Sequence, residues 1–242
     1  MKQFLQCHLI ERPTVFHVGT LEPDRKGHFH ADSLEGHCLS VSRHPEAWIQ
    51  IARLGGEPVW RLDHDSGVFV DILSLEADAV AANAVRAWGV EQGLAQIKTC
   101  WRAWQYDSEE DDWRYMVFDD EEEAHLNADE FEDREGGNVE CVSLCVGTPA
   151  LCEIIGWKDA STKEVLDFLV LAYLEANVPE VQGVWWNEIL DPGALSAPRA
   201  GILPSRLQEW QRSASSTEEA MAFRDAMEEC DEAAAVIRPA FR

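Results

Sequence analysis

Basic residues are scarce in this chain of 242: 20 Lys and Arg stand against 45 Asp and Glu, a formal net charge of −25. A surface of that sign repels phosphate backbones and anionic lipid, which disfavours nucleic-acid or membrane binding by the molecule as a whole. Long apolar runs are missing as well. No stretch approaches the roughly 20 uninterrupted apolar residues of a membrane-spanning helix. The opening segment Met1–His8 has neither a long apolar run nor a small-residue cleavage site, so no secretory signal is expected. The 7 cysteines are odd in number and scattered. That pattern fits reduced thiols in a cytoplasmic protein rather than a disulfide framework.

Several signatures of chemistry are absent too. Gly55-Gly56 and Gly136-Gly137 lack the Gly-x-x-x-x-Gly-Lys frame of a phosphate loop. There is no Gly-x-Ser-x-Gly elbow, and no Ser-x-x-Lys where a strand meets a helix. His28, His30, His37 and His44 lie near Cys38, and Asp63-His64-Asp65 forms a second cluster, but neither has the paired spacing of a zinc site. Cys141-x-x-x-Cys145 has no second pair to complete one. These histidines read as solvated loop residues, and no metal is expected.

What is present is a 46% apolar fraction, enough for a core, with periods of both kinds. Thr14–Val18, Cys38–Ser42, Val59–Leu62, Val68–Leu73, Ile97–Tyr106, Trp113–Phe118, Val139–Val146, Gly183–Trp186 and Ala200–Leu203 read as strands. Asp63–Gly67 reads as a turn, the polar stretch Glu22–Gly36 as a loop, and Glu76–Gln92 as a helix. Pro45 suits the first position of another helix, capped by Arg43 or His44, with Trp48, Ile51 and Ala52 inward. Ser161 or Thr162 followed by Glu164 opens a helix with Val165, Phe168, Leu169, Ala172 and Tyr173 on one face. Ser216-x-x-Glu219 caps a last helix with Met221, Phe223, Ala226, Met227 and Cys230 inward. No repeat or Pro/Gly/Ser linker divides the chain. A single α+β domain over 1–242 is therefore expected, with an acidic insertion at 107–135.

That insertion holds fifteen acidic residues against Arg114 and Arg134. Its plain reading is a solvated, self-repelling loop. The sharper reading is a docking surface for a basic protein partner, as in a non-enzymatic acidic binding or immunity protein, or a nucleic-acid mimic.

One ordered set of motifs remains. His17-Val18-Gly19-Thr20 ends the first strand. Leu39-Ser40-Val41-Ser42 forms a second that runs directly into the Pro45 helix. Trp185-Trp186-Asn187-Glu188 ends a late strand, followed by Ser196-Ala197-Pro198-Arg199-Ala200-Gly201-Ile202-Leu203-Pro204. In this order the motifs resemble those of the ADP-ribosyltransferase superfamily, the group bacteria and phages use as toxins or host modifiers. Its early strand carries His-Gly-Thr or an Arg. Its middle strand carries Ser-x-Ser or a Tyr, and its late strand opens with a Glu. Here Val18 stands where the His-Gly-Thr form has glycine, and Trp186 where a second acid or amide precedes the glutamate.

The resemblance implies split antiparallel sheets with flanking helices, and NAD bound as substrate in the cleft between them. It implies that His17 bonds the nicotinamide ribose, and that the backbone at Val18 or Gly19, beside Thr20, pairs with the nicotinamide amide. Ser40 or Ser42 would support that pocket, with Trp48, Trp185 or Trp186 as an aromatic wall. Glu188, or Asp191 if the strand ends later, would stabilise the positive charge that develops on the ribose as nicotinamide leaves. Transfer to an acceptor and hydrolysis by water both remain open at this level.

Overall fold

The computed structural model describes residues 3–21, 38–107, 112–129, 138–155 and 165–237. The stretch 22–36 with His28 and His30, His37, Gly136-Gly137, the Ser161–Thr162 helix opening and the side chain of Cys230 lie outside the described residues. A 3-10 turn at Gln3–His8 leads into β1 (Leu9–Glu11) and β2 (Thr14–Val18). Next come β3 (Leu39–Val41), α1 (Pro45–Ile51), β4 (Val59–Asp63), β5 (Val68–Asp71), α2 (Ile72–Ala77) and α3 (Ala79–Glu91). The middle of the chain forms β6 (Ala95–Asp107), β7 (Asp112–Phe118), α4 (Glu121–Asp129), β8 (Val139–Gly147) and α5 (Pro149–Ile155). It closes with α6 (Val165–Asn177), β9 (Gly183–Trp186), β10 (Arg199–Ile202), β11 (Gln211–Ser215) and α7 (Thr217–Ile237). The class is mixed α+β, as the alternating periods imply.

Three sheets organise these elements. The first runs β1-β5-β9-β10-β3, with β5 and β9 parallel and every other pair antiparallel. The second is β11-β4-β2 and the third β7-β6-β8, both antiparallel. Among the described residues, one bridge joins the first two sheets. Phe16 and Ser42 exchange N–H···O bonds, each 2.8 Å long.

Alternation along the strands of the first sheet builds a core on each face. Val70, Val184 and Trp186 face α3 and α6, whose Val85, Phe168, Leu169 and Tyr173 complete the larger cluster. Phe69, Trp185, Ala200 and Ile202 point the other way, toward Val15 of β2, Leu62 of β4 and Trp210. Gly89 lets α3 lie close to α6, because a Cβ there would sit 2.5 Å from Leu169 Cδ2. A third small core, Ala103 against Ala124 and Ala128, holds α4 on the β7-β6-β8 sheet. Among the described residues no helix is long and apolar enough to cross a membrane.

Local caps shift several of the sequence-based boundaries. The strand expected through Leu73 stops at Asp71, whose carboxylate accepts from Ser74 N–H and starts α2. Asp78 then accepts from Val80 and Ala81 N–H, so Glu76–Gln92 is divided between two helices. Part of the acidic run is helical. Glu121, Glu122 and Glu123 occupy the first turn of α4, where acids complement the helix dipole, and Asp120 caps it. Helix α1 begins at Pro45 as expected, but it buries Pro45 and Ala47 while Ala52 is exposed.

On α7 the Ser216–Glu219 capping box is present. Ser216 Oγ accepts from Glu219 N–H and Glu219 Oε2 from Ser216 N–H, both at 3.2 Å. The inward residues are Ala220 and Phe223, whereas Met221 and Ala226 are exposed. Replacing Ser216 with Ala is expected to cost about 1 kcal/mol, read as a lower urea midpoint.

Candidate functional site

The seam between β2 and β3 is where the early and middle motifs meet. His17 is 2% exposed, its Nδ1 lying 2.7 Å from the Ser40 carbonyl oxygen and its Nε2 2.8 Å from that of Thr20. Both partners are acceptors, so a neutral ring satisfies one contact and the imidazolium both. In this state neither nitrogen is available to a ligand hydroxyl. Gly19 adopts φ of 110°, a conformation that glycine supplies without strain. Its N–H donates to Pro58 O and its carbonyl accepts from the Trp60 indole, each at 2.9 Å. Val18 lies in ladder with Val59. The backbone expected to pair with a nicotinamide amide is thus bonded within the protein, and Thr20 is the exposed residue of the motif.

Ser42 ties this seam to the late motif. Its hydroxyl donates to Pro198 O at 2.5 Å and accepts from His44 N–H at 2.9 Å. The Trp48 indole also donates to Pro198 O, at 3.3 Å. Ser40 pairs across the ladder with Gly201. Because Ser42 is 3% exposed, Ser42→Ala is expected to cost about 1–3 kcal/mol, since the His44 N–H loses its acceptor and the Pro198 carbonyl keeps only the longer bond from Trp48. Urea denaturation measures this.

One residue beyond Pro198, an arginine lies between two indole rings and a carboxylate. Arg199 pairs with Trp186 in the β9–β10 ladder. Its guanidinium lies 5.3 Å from the centroid of the Trp186 ring and 5.3 Å from that of Trp48. Its Nη2 is 3.3 Å from Glu188 Oε1, with 26% of each side chain exposed. Burial pushes the Glu188 carboxyl above the ordinary glutamate range, and a bond from Ala197 N–H offsets this in part. Burial likewise pushes Arg199 down. Desolvation thus disfavours the charged form of each, and the contact between them is longer than a charge-assisted hydrogen bond. The Trp186 indole donates to Asp167 Oδ2 of α6 at 3.3 Å, which fixes its ring.

Behind this cluster Arg224 of α7 clamps the start of α1. Its Nη1 donates to Arg43 O, His44 Nδ1 and Glu46 Oε1 at 3.1, 3.0 and 2.6 Å. Burial alone would raise the Glu46 carboxyl, but hydrogen bonds from His44, its own backbone and Arg224 hold it below the usual range.

Of the residues singled out in the sequence, Ser42, Trp48 and Glu188 thus converge through Pro198 and Arg199, with Ser40 on the adjacent β3 and His17 beyond it on β2. Trp185 does not join them. It is 3% exposed in the second core, with Phe69 at 5.8 Å and the Arg12 guanidinium at 5.4 Å from its ring. Asp191 is exposed and accepts from Gly193 and Ala194 N–H, capping a 3-10 turn. The sequence reading gave no role to Arg199 or Asp167. The available signal for Arg199 was an arginine immediately after a proline at the head of a strand. Among the described residues no group of three or more His, Cys, Asp or Glu is placed to hold a metal ion. No protein-family model, curated protein or solved structure matches the chain.

Proposed function

We propose that the chain is an NAD-dependent ADP-ribosyltransferase, a glycosyl-transferring enzyme of the toxin or host-modifier kind that works in the cytoplasm. The observation that carries the reading is Glu188, a partly buried carboxylate with raised proton affinity, 3.3 Å from Arg199, whose guanidinium lies 5.3 Å from the Trp48 and Trp186 rings. The seam at which a single bridge joins two separate sheets supports it, because the resemblance calls for split sheets.

Nicotinamide leaves with the electron pair of its bond to the ribose C1′. Positive charge spreads over C1′ and the ring oxygen, and a fixed carboxylate stabilises it. The acceptor, or water, then forms the new bond to C1′ and releases a proton. Glu188 is the stabilising carboxylate in this scheme. Ser42 holds the Pro198 carbonyl and so sets the position of Arg199 and Glu188. His17 reaches the ribose by exchanging the Thr20 carbonyl for a ribose hydroxyl. The test is nicotinamide release from NAD followed by NMR, with Glu188→Ala alongside. Release that the variant loses supports the reading. No release, together with no shift of the melting temperature by NAD, overturns it.

A second reading, a non-enzymatic acidic binding or immunity protein, is favoured by the exposed acids on the β7-β6-β8 sheet. Glu121, Glu122 and Glu123 are exposed on α4, and the Asp119 side chain is 71% exposed. A basic partner bound there is expected to dissociate steeply as salt rises, since exposed charges are screened over roughly 10 Å at 0.1 M. Affinity that is unchanged between low and high salt in a titration would sink this reading.

A further inference from the structure

The contacts of Arg199 are those of a bound ligand rather than of a structural ion pair. A guanidinium is flat, delocalised and weakly hydrated, and it stacks on aromatic faces. Attraction to an aromatic ring extends to about 6 Å from the centroid, and the Arg199 guanidinium is 5.3 Å from the rings of both Trp48 and Trp186. A carboxylate lies at 3.3 Å. Two indoles and one acid are the components of a receptor for a planar cation, and here the cation is supplied by the chain itself.

We propose that Trp48, Trp186 and Glu188 form a planar-cation site that Arg199 occupies from within, and that a ligand bearing a delocalised planar cation enters by displacing the Arg199 guanidinium. Three observations make the displacement feasible. The Arg199 backbone is held in the β10 ladder opposite Trp186, so only the side chain has to swing away. A quarter of the Arg199 and Glu188 side chains is exposed, which gives a ligand access. The Arg199–Glu188 contact, at 3.3 Å, is longer than the roughly 2.7–2.9 Å of a charge-assisted hydrogen bond.

The inference rests on the proposed function only in naming the nicotinamide pyridinium of NAD as the ligand's cation. The pyridinium shares the guanidinium's flatness and delocalised charge but has no N–H groups on its charged ring nitrogen.

The test uses 1-methylnicotinamide as the cation, nicotinamide as its neutral twin and ethylguanidine as the guanidinium. Each is titrated by tryptophan fluorescence into the full chain and into Arg199→Ala, with Arg199→Gln as the variant that keeps length and polarity. The expected result is at least a tenfold gain in affinity for 1-methylnicotinamide on losing Arg199, no such gain for nicotinamide, and loss of the gain when Glu188→Gln is added. Equal affinities in wild type and both Arg199 variants, or equal gains for the cation and its neutral twin, would overturn it. A larger gain for ethylguanidine than for 1-methylnicotinamide would keep the site but assign it to an arginine side chain of a partner. NAD turnover separates the two claims. Cation binding with neither NAD cleavage nor a melting-temperature shift by NAD retains the site and removes the transferase, whereas NAD cleavage without displacement of Arg199 does the reverse.

Discussion

Glu188→Gln is expected to lower nicotinamide release from NAD by roughly 10²–10³-fold while leaving the fold intact, the scale of loss seen when one transition-state electrostatic contact is removed. Glutamine keeps the shape and one acceptor oxygen, so the variant isolates the charge. The pH profile supplies an independent check. Burial raises the folded pKa of Glu188, and the working form is the carboxylate. The acid limb of the rate should therefore lie above the ordinary glutamate value of about 4.3, with activity falling as pH drops through the raised pKa. Stability runs in the opposite sense. The folded state prefers the protonated form, so the contribution of Glu188 favours folding at low pH and is lost as pH rises through its folded value. A wild-type acid limb in the Gln variant would show that another group controls the rate.

The second large effect concerns Trp185 and is one of stability rather than chemistry. Trp185→Ala should destabilise the chain by about 3–5 kcal/mol, the usual cost of truncating a buried tryptophan to alanine. The ring lies in a core with Phe69, Val41, Ile202 and Trp210, 3% exposed. Urea denaturation gives the loss directly. Trp185→Phe, which refills most of the volume, should keep the affinity for NAD. Trp48→Ala acts on a half-buried ring, so it should cost much less stability and weaken binding instead. If Trp185→Phe loses NAD affinity while its urea midpoint holds, Trp185 is a ligand wall as well as a core residue.

Strand periodicity, the Pro45 helix start and the Ser216–Glu219 box were legible because each is a short-range signal. Val165, Phe168, Leu169, Ala172 and Tyr173 are all buried on α6, but so are Leu166, Val170, Leu171 and Leu174, so the helix is buried beyond the one face their spacing marks. What was not legible depends on competition between local signals or on partners far along the chain. The apolar run from Val68 to Leu73 satisfies a strand, yet the Asp71 cap turns it into helix midway. The acids of α4 read as loop because their stabilisation comes from the helix dipole and from two alanines packed on Ala103. Strand β11, Gln211–Ser215, has no apolar alternation because it lies at a sheet edge and pairs with β4 alone.

The candidate site shows the same division. Ser42 and Glu188 were visible as motif positions. The pairing that brings Trp186 beside Arg199 spans a loop and depends on the register of β9 with β10. Likewise Arg224 reaches His44 and Glu46 across 180 and 178 positions, a separation no periodicity reveals.

Among the described residues a single bridge links the first two sheets, and it governs how the molecule opens. A long ladder between β2 and β3 would lock the sheets as one plate, with protection shared among many amides. Two amides, Phe16 and Ser42, carry the backbone link instead. Their hydrogens should exchange with solvent deuterium in step with each other and faster than those in the middle of the β2–β4 ladder. A ligand that spans both sheets should slow the pair together, so these two signals act as a built-in gauge of how often the seam is ajar.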